Sequence, residues 1–304
     1  MEERRGGVMP PRPRPPRRTP RSVVWRRRLV ALGVLLAAFA IAWVAVASVG
    51  GNHKAKPPTP TVAAPPKPFR IVFPEGFTRK QMAARVTAVA QIADRERHKR
   101  VRLKERTYLA ATARPRRQAG FGPRAYPLEG FLFPATYDFT VRTTSPQLVA
   151  AQLKAFRTNW AKLDLGYARS KNLTPYDVLV IASMVEKETP APEERQLVAA
   201  VIYNRLHAHM ALGIDAALRY GLNIPPTESI HESQLANPTP YNLRLHAGLP
   251  PTPIGAPGLA SLQAAAHPAK VNYLYFVAKP DKKHHFFTAS SAAFEQYKAA
   301  HGYG

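Results

Sequence analysis

The sequence predicts an α+β body rich in helices, opened by a small β-turn-α unit and preceded by a transmembrane helix. Three observations lead there. Leu29–Val49 is a run of 21 residues without a charged side chain. Phe69–Phe73 has the composition of a short strand, Pro74-Glu75-Gly76 that of a turn, and apolar residues recur at helical spacing after Thr78. From Gly130 onward helical patterns dominate, interrupted by proline-rich loops at Pro225–Pro226 and Gly248–Pro257.

Each segment follows from its chemistry. Residues 1–28 interleave Arg12, Arg14, Arg17, Arg18 and Arg21 with prolines and are expected to be a disordered tail, because such a stretch has no apolar surface to bury. Residues 29–49 are long enough to span a hydrocarbon core of about 30 Å at about 1.5 Å per residue. Arg26-Arg27-Arg28 abuts the N-terminal end of that run, so the positive-inside rule puts the N-terminus in the cytoplasm and the body outside. A cleaved signal peptide ending near Ala45-Val46-Ala47 is the rival reading, and it exports the body equally. Residues 50–68 form a linker with five prolines between Lys54 and Lys67. Residues 69–126 hold the β-turn-α unit, with Met82, Val86 and Val89 on one helix face, and a basic helix around Arg95–Leu109. Residues 127–304 form the main domain, with Tyr273–Ala278 as its clearest strand.

The chain of 304 residues carries a net charge of +25 and no cysteine. Without cysteine there are no disulfides, thiol nucleophiles or Cys-ligated zinc. Residues 1–49 contain ten Arg and two Glu, and the remaining +17 is spread along the chain. The charge invites a polyanionic partner, but an exported body excludes nucleic acid. Anionic wall polymers or lipid headgroups remain compatible with it.

One helix combines apolar burial with acid chemistry. Thr174 fits an N-cap, Pro175 the first helical position and Asp177 the capping-box acid. Val178–Val185 is apolar on nearly every side, the mark of a buried helix, yet the helix ends in Glu186-Lys187-Glu188-Thr189. Residues two apart on a helix point about 200° from each other, so Glu186 and Glu188 cannot share one pocket. Glu188 continues the stripe Val178, Ile181, Val185, and Glu186 lies beyond Leu179 and Ala182. A carboxyl in apolar surroundings holds its proton toward neutral pH, as a general acid for glycoside cleavage must. Glu188 is the first candidate and Glu186 the second. A solvated Glu-Lys-Glu helix end is the plain alternative. Glu129 is read as a turn-stabilising acid in preference to a second cleft carboxylate.

His207 and His209 are badly spaced for a shared metal, and His284 and His285 point to opposite sides of a strand. Ser183 lacks a glycine elbow. No metal and no cofactor are expected.

Several blocks resemble one known family. Leu128-Glu129-Gly130-Phe131-Leu132-Phe133-Pro134-Ala135-Thr136-Tyr137, Ile181–Thr189, Tyr203-Asn204-Arg205-Leu206, Tyr241-Asn242, Gly248–Ile254, Pro257-Gly258, Tyr273–Val277 and His285-Phe286-Phe287 are similar to the MltG/YceG-like endolytic murein transglycosylases, in order and at matching spacing. The resemblance implies a lysozyme/transglycosylase-like catalytic domain, with the β-turn-α unit LysM-like. It implies a lyase that cuts the β-1,4 bond between N-acetylmuramic acid and N-acetylglucosamine without water, leaving a 1,6-anhydro end. One glutamic acid serves, and Glu188-Thr189 fits the family's acid frame. Asn204, Asp215, Tyr220, Tyr241 and Asn242 are the expected sugar-binding residues. Gly213 stands where the family has Gln. The implied partners are peptidoglycan strands, the plasma membrane and peptidoglycan synthases of elongation or division. A non-catalytic glycan-binding or division scaffold of the same fold is the alternative.

Overall fold

The computed structural model describes residues 68–303 and, ahead of them, only Gly33, Ala37 and Ala40, all helical. The expected tail, the linker apart from Pro68, and all but those three residues of the expected membrane span lie outside the described residues. Among the described residues no helix is long and apolar enough to cross a membrane.

β1 (Phe69–Val72) leads through the Pro74–Gly76 turn into α1 (Arg79–Arg97). α1 starts at a capping box: the Gln81 N–H donates to Thr78 Oγ1 at 3.2 Å, and the Thr78 N–H donates to Gln81 Oε1 at 2.9 Å. Met82, Ala83, Val86 and Ala93 are its buried residues. The single basic helix expected across Arg95–Leu109 is instead broken. α1 stops where His98 turns left-handed at φ 48°, and α2 (Glu105–Ala113) starts afresh. Between them Leu103 is buried, so tertiary packing of the connection overrides the helical tendency of the charged run.

A short hairpin, β2 (Arg116–Arg117) and β3 (Ala125–Tyr126), precedes β4 (Thr136–Phe139). β4 pairs antiparallel with β1, Phe69 opposite Phe139 and Val72 opposite Thr136. The opening unit is therefore β1-α1-α2-β4, and its sheet crosses the expected boundary at residue 127.

The remaining helices are α3 (Ser145–Trp160), α4 (Gly166–Ser170), α5 (Pro175–Glu188), a 3-10 turn (Pro192–Glu194), α6 (Arg195–His207), α7 (Asp215–Leu222), α8 (Glu232–Leu235), α9 (Leu259–Ala266) and α10 (Ser291–Ala300). α5 is the central post. Its capping box is the expected one, with the Asp177 N–H on Thr174 Oγ1 at 3.2 Å and the Thr174 N–H on Asp177 Oδ2 at 2.8 Å. Every residue from Val178 to Val185 is buried, against α6 and α9 among others. Ser183 is structural: its Oγ accepts the Ile254 N–H at 3.0 Å and anchors the Gly248–Gly258 loop to the helix. Of the expected strand Tyr273–Ala278, only Tyr275–Ala278 is β5, paired with β6 (His285–Thr288).

Candidate active site

α5 delivers its two terminal acids to different surroundings. Glu186 Oε2 accepts the Gly258 N–H at 2.9 Å, at the N-cap of α9. Glu75 sits at the same place, so close that a Cβ on Gly258 would overlap its carboxyl group. Burial and the neighbouring Glu186 charge push the Glu75 carboxyl above its ordinary range, partly opposed by Arg195. Glu188, on the other side of α5, is half-buried beside the start of α7. Burial pushes its carboxyl up to about 7; the Ala216 N–H acts to lower it and the Asp215 charge to raise it. Thr189 finishes α5 by donating its hydroxyl to the Val185 carbonyl at 2.7 Å.

A cavity of about 560 Å³ opens beside α7. One wall is the N-terminus of α1, Thr78–Gln81. The other wall is Ala216, Arg219–Gly221 and Asn223–Pro226, with Tyr241, Ile254, Lys187 and Glu129 completing the lining. Glu188 does not line this cavity itself. Ala216, whose N–H acts on the Glu188 carboxyl, does. Tyr220 and Tyr241 stand with ring centroids 5.2 Å apart at 59°, and the Tyr241 hydroxyl pairs with Thr252 Oγ1 at 2.8 Å. Two adjoining aromatic faces with polar tips suit a sugar, whose ring C–H face is apolar and whose rim is hydroxylated.

The expected sugar-binding residues divide. Tyr220 and Tyr241 line the cavity. Asp215 stands beside Glu188 and is held by Arg244 through contacts of 2.8 and 2.9 Å. Asn204 and Asn242 are not among the residues that line the cavity. The Asn204 amide donates to the Val271 and Tyr273 carbonyls, both at 2.9 Å, and so fastens the segment before β5. Asn242 is fully buried, donating to the Leu235 and Asn237 carbonyls at 2.8 Å while accepting the Arg244 N–H. The buried Asn242 and the half-buried Asn204 both donate their amide N–H groups to backbone carbonyls.

Glu129 departs from the turn-bracing role expected of it. It does not brace its own turn. Its carboxylate, 7% exposed, accepts the Arg79 N–H at 3.0 and 3.2 Å and the Tyr220 hydroxyl at 3.1 Å. Burial pushes it up to about 7, opposed by those two donors and by the Arg79 and Lys187 charges. Its partners are 50 and 91 residues away in sequence, and no local pattern announces such a contact.

Gly213 adopts φ 63°, a left-handed conformation that favours glycine, and its N–H donates to the Leu243 carbonyl at 2.8 Å. Among the described residues no group of three or more His, Cys, Asp or Glu is placed to hold a metal.

The sequence matches the YceG-like family over residues 58–300. The chain belongs to that family. An endolytic murein transglycosylase of Streptococcus pneumoniae R6 is 40% identical over 160 residues, which are 50% of this chain and 28% of that protein. The endolytic murein transglycosylase of Bacillus subtilis 168 is 33% identical over 154 residues, 51% of this chain and 42% of that one. The chain thus matches less than half the length of these relatives. The crystal structure of a yceG-like protein from Listeria monocytogenes superposes with a TM-score of 0.63 at 29% identity, over 76% of each chain. A helix-rich α+β domain of the YceG-like type is therefore its architecture.

Proposed function

We propose that this YceG-like protein is an endolytic murein transglycosylase acting on peptidoglycan glycan strands, with Glu188 as its acid and base. In the first step the Glu188 carboxyl gives its proton to the glycosidic oxygen, the C1–O bond of N-acetylmuramic acid breaks, and N-acetylglucosamine leaves with a free 4-hydroxyl. The resulting carboxylate then takes the proton of the muramic 6-hydroxyl as O6 bonds to C1. No water is consumed and Glu188 ends protonated. One carboxyl suffices because the substrate supplies the nucleophile, unlike the two carboxylates of ordinary glycosidases.

The single observation behind this reading is the half-buried Glu188 at the end of α5, held up to about 7 beside the tyrosine-lined cavity. A group with that value is still partly protonated at neutral pH and gives its proton up readily. Tyr220 and Tyr241 are proposed to carry the sugar rings, and Asp215 to tune Glu188. The relatives named as endolytic murein transglycosylases support the same substrate.

The test is digestion of purified peptidoglycan by the full chain and by Glu188→Gln, with product ends identified by mass spectrometry. Anhydro-muramic ends from the wild type alone are expected. Ordinary reducing ends would make the protein a hydrolase. No cleavage by folded wild type would favour the non-catalytic glycan-binding scaffold.

The uncharged run Leu29–Val49 with Arg26-Arg27-Arg28 before it supports a single-pass plasma-membrane anchor with the enzyme outside. Tethering would confine cutting to strands newly made at the membrane, so that it terminates their elongation beside the synthases. A chain lacking residues 1–52, exported in soluble form, should then fail to replace the anchored one in cells; full replacement would refute the tether.

A further inference from the structure

Glu129 is an expensive residue to bury. A carboxylate taken out of water costs several kcal/mol unless its partners compensate, and the donors it meets come from two distant elements. On one side is the first N–H of α1, from Arg79; on the other is the Tyr220 hydroxyl on α7. The Thr78–Gln81 capping box serves the Thr78 and Gln81 N–H groups, and Glu129 caps the Arg79 N–H that the box leaves over. The same carboxylate also accepts from Tyr220 and so joins the two walls of the cavity, alongside the hydrogen bond from Lys80 Nζ on one wall to Asn223 Oδ1 on the other at 2.8 Å.

Its base is rigid enough for that task. Leu128, Phe131 and Leu132 around it are at most 1% exposed. Gly130 turns at φ 82°, with no room for a side chain: a Cβ there would lie 2.6 Å from Pro253 Cβ. The backbone of Glu129 is thereby wedged against the Gly248–Gly258 loop, which α5 holds through Ser183. A carboxylate on such a platform transmits the position of α5 to both walls.

We infer that Glu129 is a positioning residue of the glycan cleft, setting the Tyr220 ring and the N-terminus of α1 at the spacing that grips a sugar chain. Glu129 lines the cavity itself, and its carboxylate also holds the two walls that flank it. The inference rests on the cavity being the glycan site.

The experiment measures cleavage of soluble, uncrosslinked glycan strands by the full chain as wild type, Glu129→Gln, Glu129→Ala, Tyr220→Phe and the Glu129→Ala/Tyr220→Phe double variant. Tyr220→Phe removes one oxygen and keeps the ring, so the test survives if Glu129→Ala fails to fold. Strand binding is measured in parallel with Glu188→Gln as the background. Expected are KM values and dissociation constants about tenfold higher for Tyr220→Phe and Glu129→Ala, with kcat within about twofold, the pattern of lost uniform binding. Glu129→Gln should recover part of the loss, since it keeps an acceptor for the Arg79 N–H. The double variant should be no weaker than Glu129→Ala, because both substitutions break one contact. Additive losses, a fall in kcat alone, or unchanged constants would each overturn the assignment. Strands neither bound nor cut by the wild type would instead overturn the proposed function.

Discussion

Glu186 and Glu188 stand two residues apart on α5 and do different work: Glu186 accepts the Gly258 N–H at 2.9 Å, while Glu188 faces Ala216 and Asp215 at the start of α7. Glu186→Gln keeps an acceptor for that N–H and should leave peptidoglycan cleavage within a few-fold of wild type. Glu188→Gln removes the proposed proton donor and should lower it by at least about a hundredfold. Release of anhydro-muropeptides by matched amounts of the two variants decides between them; equal losses would contradict the division of labour.

The carboxyl of Glu188, ordinarily at 4.5, lies up at about 7. In the proposed mechanism its acid form is the competent one, so the alkaline limb of the pH–rate profile should fall as pH rises through about 7. The same shift has a stability consequence of opposite appearance. Between pH 4.5 and 7 the folded chain holds a proton that the unfolded chain has released, so this group's contribution to stability is intact below 4.5 and is lost as pH climbs through 7. Glu188→Gln, which cannot ionise, should therefore gain in melting temperature over wild type at pH 8 but not at pH 4. The expected gain is on the order of 1–2 kcal/mol after allowing for residual solvent access.

Asp215 raises Glu188, and Arg244 holds Asp215 with two contacts. Asp215→Asn should move the alkaline limb to lower pH. Arg244→Ala, by leaving the Asp215 charge uncompensated, should move it to higher pH. Both partners of this ion pair are more than 40% exposed, so Arg244→Ala should cost no more than about 1 kcal/mol in denaturant unfolding. Shifts in the same direction from both variants would reject the electrostatic link.

Gly221 packs against Tyr241 so tightly that an added Cβ would lie 2.6 Å from the Tyr241 Cβ. Because that atom sits at the root of the side chain, it cannot swing aside, and Gly221→Ala must displace the tyrosine or the helix. A loss of about 1–3 kcal/mol in stability is expected from such overpacking, together with weaker strand binding. Thermal unfolding and a binding isotherm on the same preparation measure both; unchanged binding would remove Tyr241 from the sugar-contacting surface.

Local chemistry made much of the scaffold legible. Thr174-Pro175-Tyr176-Asp177 carries its own start signal, and the apolar run behind it states that α5 is buried. The i and i+2 spacing of Glu186 and Glu188 already implied opposite environments, because helix geometry is set by the backbone alone. Charge failed as a guide between Arg95 and Leu109, where the buried Leu103 and the left-handed His98 break what the pattern reads as one helix.

The sequence by itself determined the helical post, its caps, its terminal acids and the blocks that mark the YceG-like family, since each rests on residues near one another in the chain. Only the tertiary structure decided which polar residues meet in the cleft. Asn204 and Asn242, expected as sugar ligands, donate their amides to backbone carbonyls. Glu129 looks like part of a turn until Arg79 and Tyr220 are found on its oxygens. A hydrogen bond belongs to whichever donor the fold brings within about 3 Å, and for groups 50 to 91 residues apart that distance is a property of packing.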